Sequence, residues 1–155
     1  MIDRLTGLVW RRAASLVPEG VTWHEALAAV TRLNLGNGAG WRLPNINELE
    51  SLADCAAANP ALPPDHPFAQ VRDVYWSSTT SLYEPDWAWA LYLDKGAVGV
   101  GQKSQARFQV WPIRENHVFE AGVEEVIWRR SNNNSFPMVA VLPTVAEAES
   151  DECSA

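Results

Sequence analysis

A chain of 155 residues, 47% of them hydrophobic, is long enough to bury a core as one domain. Its net charge of −7 is unevenly placed: residues 1–114 carry 11 acidic and 10 basic side chains, residues 115–155 carry 8 and 2. An acidic end of this kind argues against nucleic acid, whose phosphates call for a basic surface. No apolar run approaches the ~18 residues of a membrane span, so no membrane insertion is expected. No basic-then-apolar leader precedes structured-looking sequence, which predicts a chain that stays in the cytoplasm as written. Cys55 and Cys153 lie far apart and read as two free thiols rather than a disulfide or a zinc site.

In chain order, residues 5–10 read as a first strand with Leu8 and Trp10 on one face. Pro18-Glu19-Gly20 marks a turn, after which Thr22 caps a helix and Glu25 closes a capping box. Trp23, Ala26, Leu27, Val30 and Leu33 recur at helical spacing as its buried stripe. The Gly- and Asn-rich residues 34–40 are expected to end it. Pro44 then holds Leu43 extended. Asn45 caps a second helix with Glu48 as its box partner, and Ile46, Leu49, Leu52 and Ala53 supply an apolar face. This helix is expected to fade near Ala58, with Cys55 buried and inert upon it, before a proline-rich loop over residues 59–67. From Val74 the period changes to two. Residues 74–79 and 87–93 read as strands, the second placing Trp87, Trp89, Leu91 and Leu93 on one face, so that at least one tryptophan is expected in the core. Asp94-Lys95-Gly96 turns a hairpin into residues 97–102, and residues 107–113 read as a further strand. The class is α+β, two helices packed on a twisted antiparallel sheet. After the domain at 1–114, residues 115–142 are expected to form an extra hairpin (123–130 against 138–142) or an oligomerisation arm. Residues 143–155 read as a disordered acidic tail.

Leu5-Thr-Gly-Leu-Val-Trp10, Thr22-Trp-His-Glu-Ala-Leu27, Trp41-Arg-Leu-Pro44 with Glu48-Leu49, Tyr75-Trp-Ser-Ser-Thr79 and Val110-Trp-Pro-Ile-Arg114 together resemble the C-terminal domain family of the Legionella collagen-like adhesin, over residues 3–114. The resemblance implies a C-type-lectin-like fold of the variety seen in formylglycine-generating enzymes, its chain ends meeting in a terminal strand pair. With the first strand so near Met1, an N-terminal pairing strand is expected to be short, and residues 115–142 to compensate. The resemblance also implies an exported or surface-attached adhesion domain, a homotrimer and a taste for sulfated glycans. This chain departs from that pattern in lacking an export signal as written and a basic excess in residues 1–114.

Candidate site residues divide into structural and ligand-facing sets. Trp41, Arg42, Leu43, Pro44 and Glu48 read as architecture, with Trp41 in the core and Arg42 paired to an internal carboxylate or capping carbonyls. Tyr75–Thr79 reads as a strand crossing the core. Glu84-Pro85-Asp86 resembles the Glu-Pro-Asn or Gln-Pro-Asp triplet that holds calcium and sugar in true C-type lectins, which makes Glu84 and Asp86 calcium candidates. Against that, the companion Trp-Asn-Asp is replaced by Trp89-Ala90-Leu91, calcium takes about 6–8 oxygen ligands, and a proline turn is the plainer reading. Tyr83, Trp87 and Trp89 suit stacking on a sugar ring. Lys103 and Arg107, with Lys95 and Arg114, would attract sulfate or carboxylate groups if the late strands gather them. For catalysis, the late cysteine pair of the formylglycine-generating relatives is missing, and His24, His66 and His117 are single and scattered. The expectation is therefore a non-catalytic binding or adhesion module without a cofactor, for carbohydrate with anionic glycans among the candidates. A protein-interaction or oligomeric scaffold domain is the alternative.

Overall fold

The computed structural model describes residues 1–116 and a two-residue strand at 127–128. The proposed arm at 115–142 and tail at 143–155, with Cys153 and His117, fall almost entirely outside the described residues.

The chain opens with two short antiparallel strands, β1 (Ile2–Asp3) and β2 (Leu8–Trp10), in register Ile2↔Val9. The single strand expected over residues 5–10 is thus cut short at its start. The Asp3 carboxylate accepts from the Leu5 N–H at 2.9 Å and the Thr6 hydroxyl at 2.7 Å. The Gly7 N–H donates to the Asp3 carbonyl at 2.8 Å, with Gly7 at φ 71°. A short polar side chain closing its own backbone turn outcompetes strand propensity here, and Leu5 is left exposed in the turn.

α1 (Trp23–Asn37) and α2 (Ile46–Glu50) both begin with the capping boxes expected, Thr22 with Glu25 and Asn45 with Glu48. α1 runs past Asn34 to Asn37, and of the expected stripe Ala26 and Val30 are buried and Trp23 and Leu33 half-buried, while Leu27 is exposed and Ala29 is buried in its stead. α2 is far shorter than expected. After Glu50 the chain tightens, with Leu52 N–H on the Leu49 carbonyl and Ala53 N–H on Glu50, and Asp54 N–H then leaves for the Ala61 carbonyl at 2.9 Å. Leu52 and Ala53 are buried as the apolar spacing predicts, but Cys55 lies beyond the helix and is exposed, contrary to the buried, inert position expected.

β3 (Val74–Thr80), β4 (Trp87–Tyr92) and β5 (Ala97–Gln102) form an antiparallel meander, in spatial order β3-β4-β5. The β4–β5 hairpin turns through Asp94-Lys95-Gly96 as predicted, with Gly96 at φ 67°. The strand expected at residues 107–113 does not form as such. Successive residues change partner: Phe108 exchanges backbone bonds with Val21, Gln109 bridges Val74 and Trp76, and the Val110 carbonyl accepts from Leu16. Pro112 has no N–H to give a ladder. Only β6 (Ile113–Glu115) is regular, antiparallel to β2 through Trp10↔Ile113 and Leu8↔Glu115. The two ends of the 1–114 region therefore meet in a strand pair, as the resemblance implied. β7 (Ile127–Trp128) adds to the other side of β1 in parallel, giving the order β6-β2-β1-β7.

The core has two halves, one on each face of the meander. Leu49 and Leu52 pack with Leu91, Leu93, Tyr75, Trp10 and Trp111. There the Trp111 ring lies 4.7 Å from Phe68, 5.1 Å from Tyr75 and 5.3 Å from Trp10, in edge-on and tilted contacts. On the opposite face Ala26 and Val30 of α1 pack with Trp76, Val110, Leu43, Ala88 and Ala90. β4 thus feeds both halves, and its alanines leave room for the Trp76 indole. The described residues are α+β, with two helices, an antiparallel meander and a second sheet that is antiparallel except where β7 joins β1, and they are consistent with a C-type-lectin-like fold.

Candidate functional site

The Trp41–Glu48 stretch is architecture, and its chemistry is a clamp. Arg42 donates two near-parallel bonds to Glu48, Nη1 to Oε2 at 2.8 Å and Nη2 to Oε1 at 2.7 Å. Glu48 Oε2 also accepts from the Asn45 N–H at 2.7 Å, so one carboxylate closes the capping box and anchors the arginine. Burial alone would push this carboxyl's pKa up. The Arg42 hydrogen bonds, the Asn45 N–H and the Arg42 charge outweigh it and hold the pKa below the usual glutamate value. Leu43 and Pro44 are buried, while Trp41 is only half-buried, not the core residue expected. The Asn34 amide grips both backbone groups of Trp41 at 2.9 Å, and Arg114 lies 5.3 Å from its ring. Of the Tyr75–Thr79 run, Tyr75, Trp76 and Ser77 are buried, and burial drives the Tyr75 phenol far above its ordinary pKa.

The ligand-facing candidates are split by the sheet. The β4–β5 register sets Trp87 opposite Gln102, Trp89 opposite Val100 and Leu91 opposite Val98. Strand alternation puts these six residues on one face, the face that α2 covers at its Leu91 end. Beyond α2 the face opens: Trp87 and Trp89 are half-buried, and Val98 and Val100 are each 39% exposed. Neither tryptophan joins the core, contrary to expectation, because Ala88 and Ala90 take the fully buried positions of this strand instead.

The loop before Trp87 is pinned at several points. Ser81 N–H donates to the Trp87 carbonyl at 2.9 Å, and Trp87 N–H to Glu84 at 2.9 Å. Glu84 N–H donates to the Ser81 hydroxyl at 3.3 Å, and Lys103 N–H to the Asp86 carbonyl at 2.8 Å. A loop so held nevertheless presents Leu82 at 86% exposure and Tyr83 at 91%, with Glu84 and Asp86 exposed beside them.

Lys103 and Arg107 lie elsewhere. Lys103 follows Gln102 and so projects to the opposite face, where its ammonium donates to the Pro85 carbonyl at 2.8 Å and the Thr80 hydroxyl at 2.9 Å and sits 4.3 Å over the Trp23 ring. Arg107 lies 3.9 Å from Glu25 in the first turn of α1. Hydrogen bonds from the Thr22 backbone and hydroxyl hold that glutamate below its usual pKa. Lys95 is at the hairpin tip, 3.9 Å from Asp94, and Arg114 is at Trp41. The four basic residues therefore do not gather.

Calcium would have to use Glu84 and Asp86 on this loop, but the Lys103 ammonium already takes the Pro85 carbonyl between them. Among the described residues no three His, Cys, Asp or Glu side chains come together as metal ligands would. A cleft of about 180 Å³ lies apart from the loop, lined by Asn59, Pro60, Val71, Arg72, Asp73 and Asp94, with no histidine or cysteine on its wall. His24 meets the Trp23 ring edge-on, and His66 stacks on Phe68 with burial lowering its pKa.

Leu82, Val98, Val100 and Gln102 join this surface in addition to the residues expected from the sequence. The last three were within reach: counting outward from the Asp94-Lys95-Gly96 turn pairs them with Leu91, Trp89 and Trp87. Leu82 stands in a loop, where no periodicity points to exposure.

The fold and this surface define a small α+β domain with an open aromatic face. The family model for the Lcl C-terminal domain matches residues 1–114, and the chain belongs to that family, an adhesin-related domain of bacteria. No curated protein matches the chain. Among the described residues, no helix is long and apolar enough to cross a membrane.

Proposed function

We propose that this chain is a non-catalytic adhesion module that binds carbohydrate on the surface formed by the 81–86 loop and the open face of β4 and β5. The observation that carries this reading is the pinned loop. Tyr83 and Leu82 stand exposed in a loop whose backbone is held by five hydrogen bonds and which leads directly into Trp87 and β4. A tyrosine on a held backbone has only two side-chain torsions to order on binding, and its ring suits the apolar face of a sugar. Membership of an adhesin-related family supports the same class of role.

The test is a glycan array probed with calcium and again with a chelator. Binding that persists in the chelator is the expected result, since Lys103 already occupies the carbonyl of the would-be calcium triplet. Loss of binding with the chelator would restore Glu84 and Asp86 as calcium ligands. A well-folded sample that binds no glycan would contradict the carbohydrate reading.

A protein-binding or self-assembling role is the second reading, and β5 favours it. Among the described residues β5 pairs only with β4, and its other edge runs alongside exposed Val98 and Val100 with no charge between Ala97 and Gln102. Such an edge accepts an added strand. Sedimentation of the full chain, with Val100→Lys as the edge-blocking variant, distinguishes it: an oligomer dissolved by that change supports this reading.

A further inference from the structure

We infer that the sugar taken by this surface is uncharged, a neutral hexose or N-acetylhexosamine rather than a sulfated or carboxylated unit; this rests on the carbohydrate reading above. Three observations on charge placement carry it. The aromatic face holds Trp87, Trp89, Val98, Val100 and Gln102 in cross-strand register, with no ionised group among them. The loop at its Trp87 end carries two exposed carboxylates, Glu84 and Asp86, against the single Lys103 ammonium held on the Pro85 carbonyl, so it offers an anion no net attraction. The nearby cations are engaged away from this face: Lys103 on Thr80, Pro85 and the Trp23 ring behind the sheet, and Arg107 beside Glu25. Lys95, at the hairpin tip, is three residues from Val98 and five from Val100, on the order of 10–15 Å by strand rise, with Asp94 next to it. That exceeds the ~8 Å over which exposed charges act at physiological salt. Between residues 80 and 107 the chain has three carboxylates and three cations, so no net positive charge draws an anion to this surface. Indole faces beside the Gln102 amide suit a ring with apolar C–H on one side and hydroxyls at its rim.

The test is equilibrium binding of the full chain to immobilised neutral glycans and to heparin, at about 0.05 and about 0.5 M NaCl. Wild type is compared with Tyr83→Ala, Trp87→Ala and Arg107→Ala. The expected result is binding to a neutral glycan with less than about twofold change across salt, unaltered in Arg107→Ala. Tyr83→Ala and Trp87→Ala should each weaken it by about tenfold, as loss of an aromatic contact would. Thermal melting checks that Trp87→Ala folds; Tyr83, being 91% exposed, leaves the core untouched and decides the matter if it does not. Binding to heparin alone, falling steeply with salt and lost in Arg107→Ala, would overturn the neutral-sugar inference while leaving the carbohydrate reading intact. Neutral-glycan binding indifferent to both aromatic variants would overturn the placement of the site. A folded wild type that binds neither would overturn both readings.

Discussion

Glu48 shows how much one side chain holds. Its carboxylate takes two bonds from Arg42 and one from the Asn45 N–H, joining the Trp41–Pro44 segment to the first turn of α2. Glu48→Ala is expected to lower stability by about 1–2 kcal/mol, the lower part of the range for charged hydrogen bonds because Arg42 is more than a third exposed. The pH dependence follows from the lowered pKa. The unfolded carboxyl takes up its proton near the ordinary 4.5, whereas the folded one does so only at lower pH. Stability from this group is therefore complete above 4.5 and is lost as pH falls below 4.5 through the folded pKa. A urea melt series on Glu48→Gln should show a shallower acid limb than wild type, and equal limbs would mean that the clamp contributes nothing. Residue chemistry of this kind was legible because a proline, an asparagine and a glutamate at fixed offsets have one geometric solution. The carboxylate partner of Arg42 was expected in kind but not by number. The sharing of Glu48 between cap and arginine depends on the approach angle of the extended segment, which spacing does not carry.

Within the elements, close approach decides most. A Cβ on Gly101 would stand 2.5 Å from the Phe108 ring and 2.8 Å from the Trp76 ring, both packed in the α1-side core. Gly101→Ala is expected to cost about 1–3 kcal/mol by overpacking. Gly99→Ala meets the Tyr92 ring at 2.7 Å, but that ring is half-buried and packed at the margin of the core, where it has more room to shift than Phe108 and Trp76, so the cost should be smaller. Chemical denaturation of both variants checks the order, and equal losses would contradict the view that Phe108 and Trp76 cannot give way. The hairpin, both capping boxes and the period-two strands were readable because local chemistry and tertiary need agree there. Leu5, Cys55 and residues 107–113 were misread where they disagree. Asp3 closes a turn across the would-be strand, the chain leaves α2 early to pair Asp54 with Ala61, and residues 108–113 spend their backbone bonds on partners from Leu16, Val21, Arg42 and Val74. Such non-local partners leave no periodic trace.

At the scale of the whole molecule, the meander separates what composition alone would have pooled. Aromatic candidates Trp87 and Trp89 face the α2 side, while Lys103 and Arg107 gather with Trp23 and Glu25 at the start of α1. An extended sequence shows these residues as one cluster between 83 and 107, and only the sheet, with its two-residue alternation, divides them into a neutral platform and a cationic far side. On the proposed function, the neutral platform is the binding surface. The most direct measurement is the indole N–H spectrum of the isotopically labelled full chain, titrated with a glycan it binds. Trp23, Trp76 and Trp111 donate their indole N–H to the carbonyls of Ser77, Val21 and Arg11 inside the fold. Their signals should stay in place while those of Trp87 and Trp89 shift with saturating ligand. A shift centred on Trp23, with Trp87 and Trp89 unmoved, would move the site to the Lys103 side of the sheet and contradict the claim.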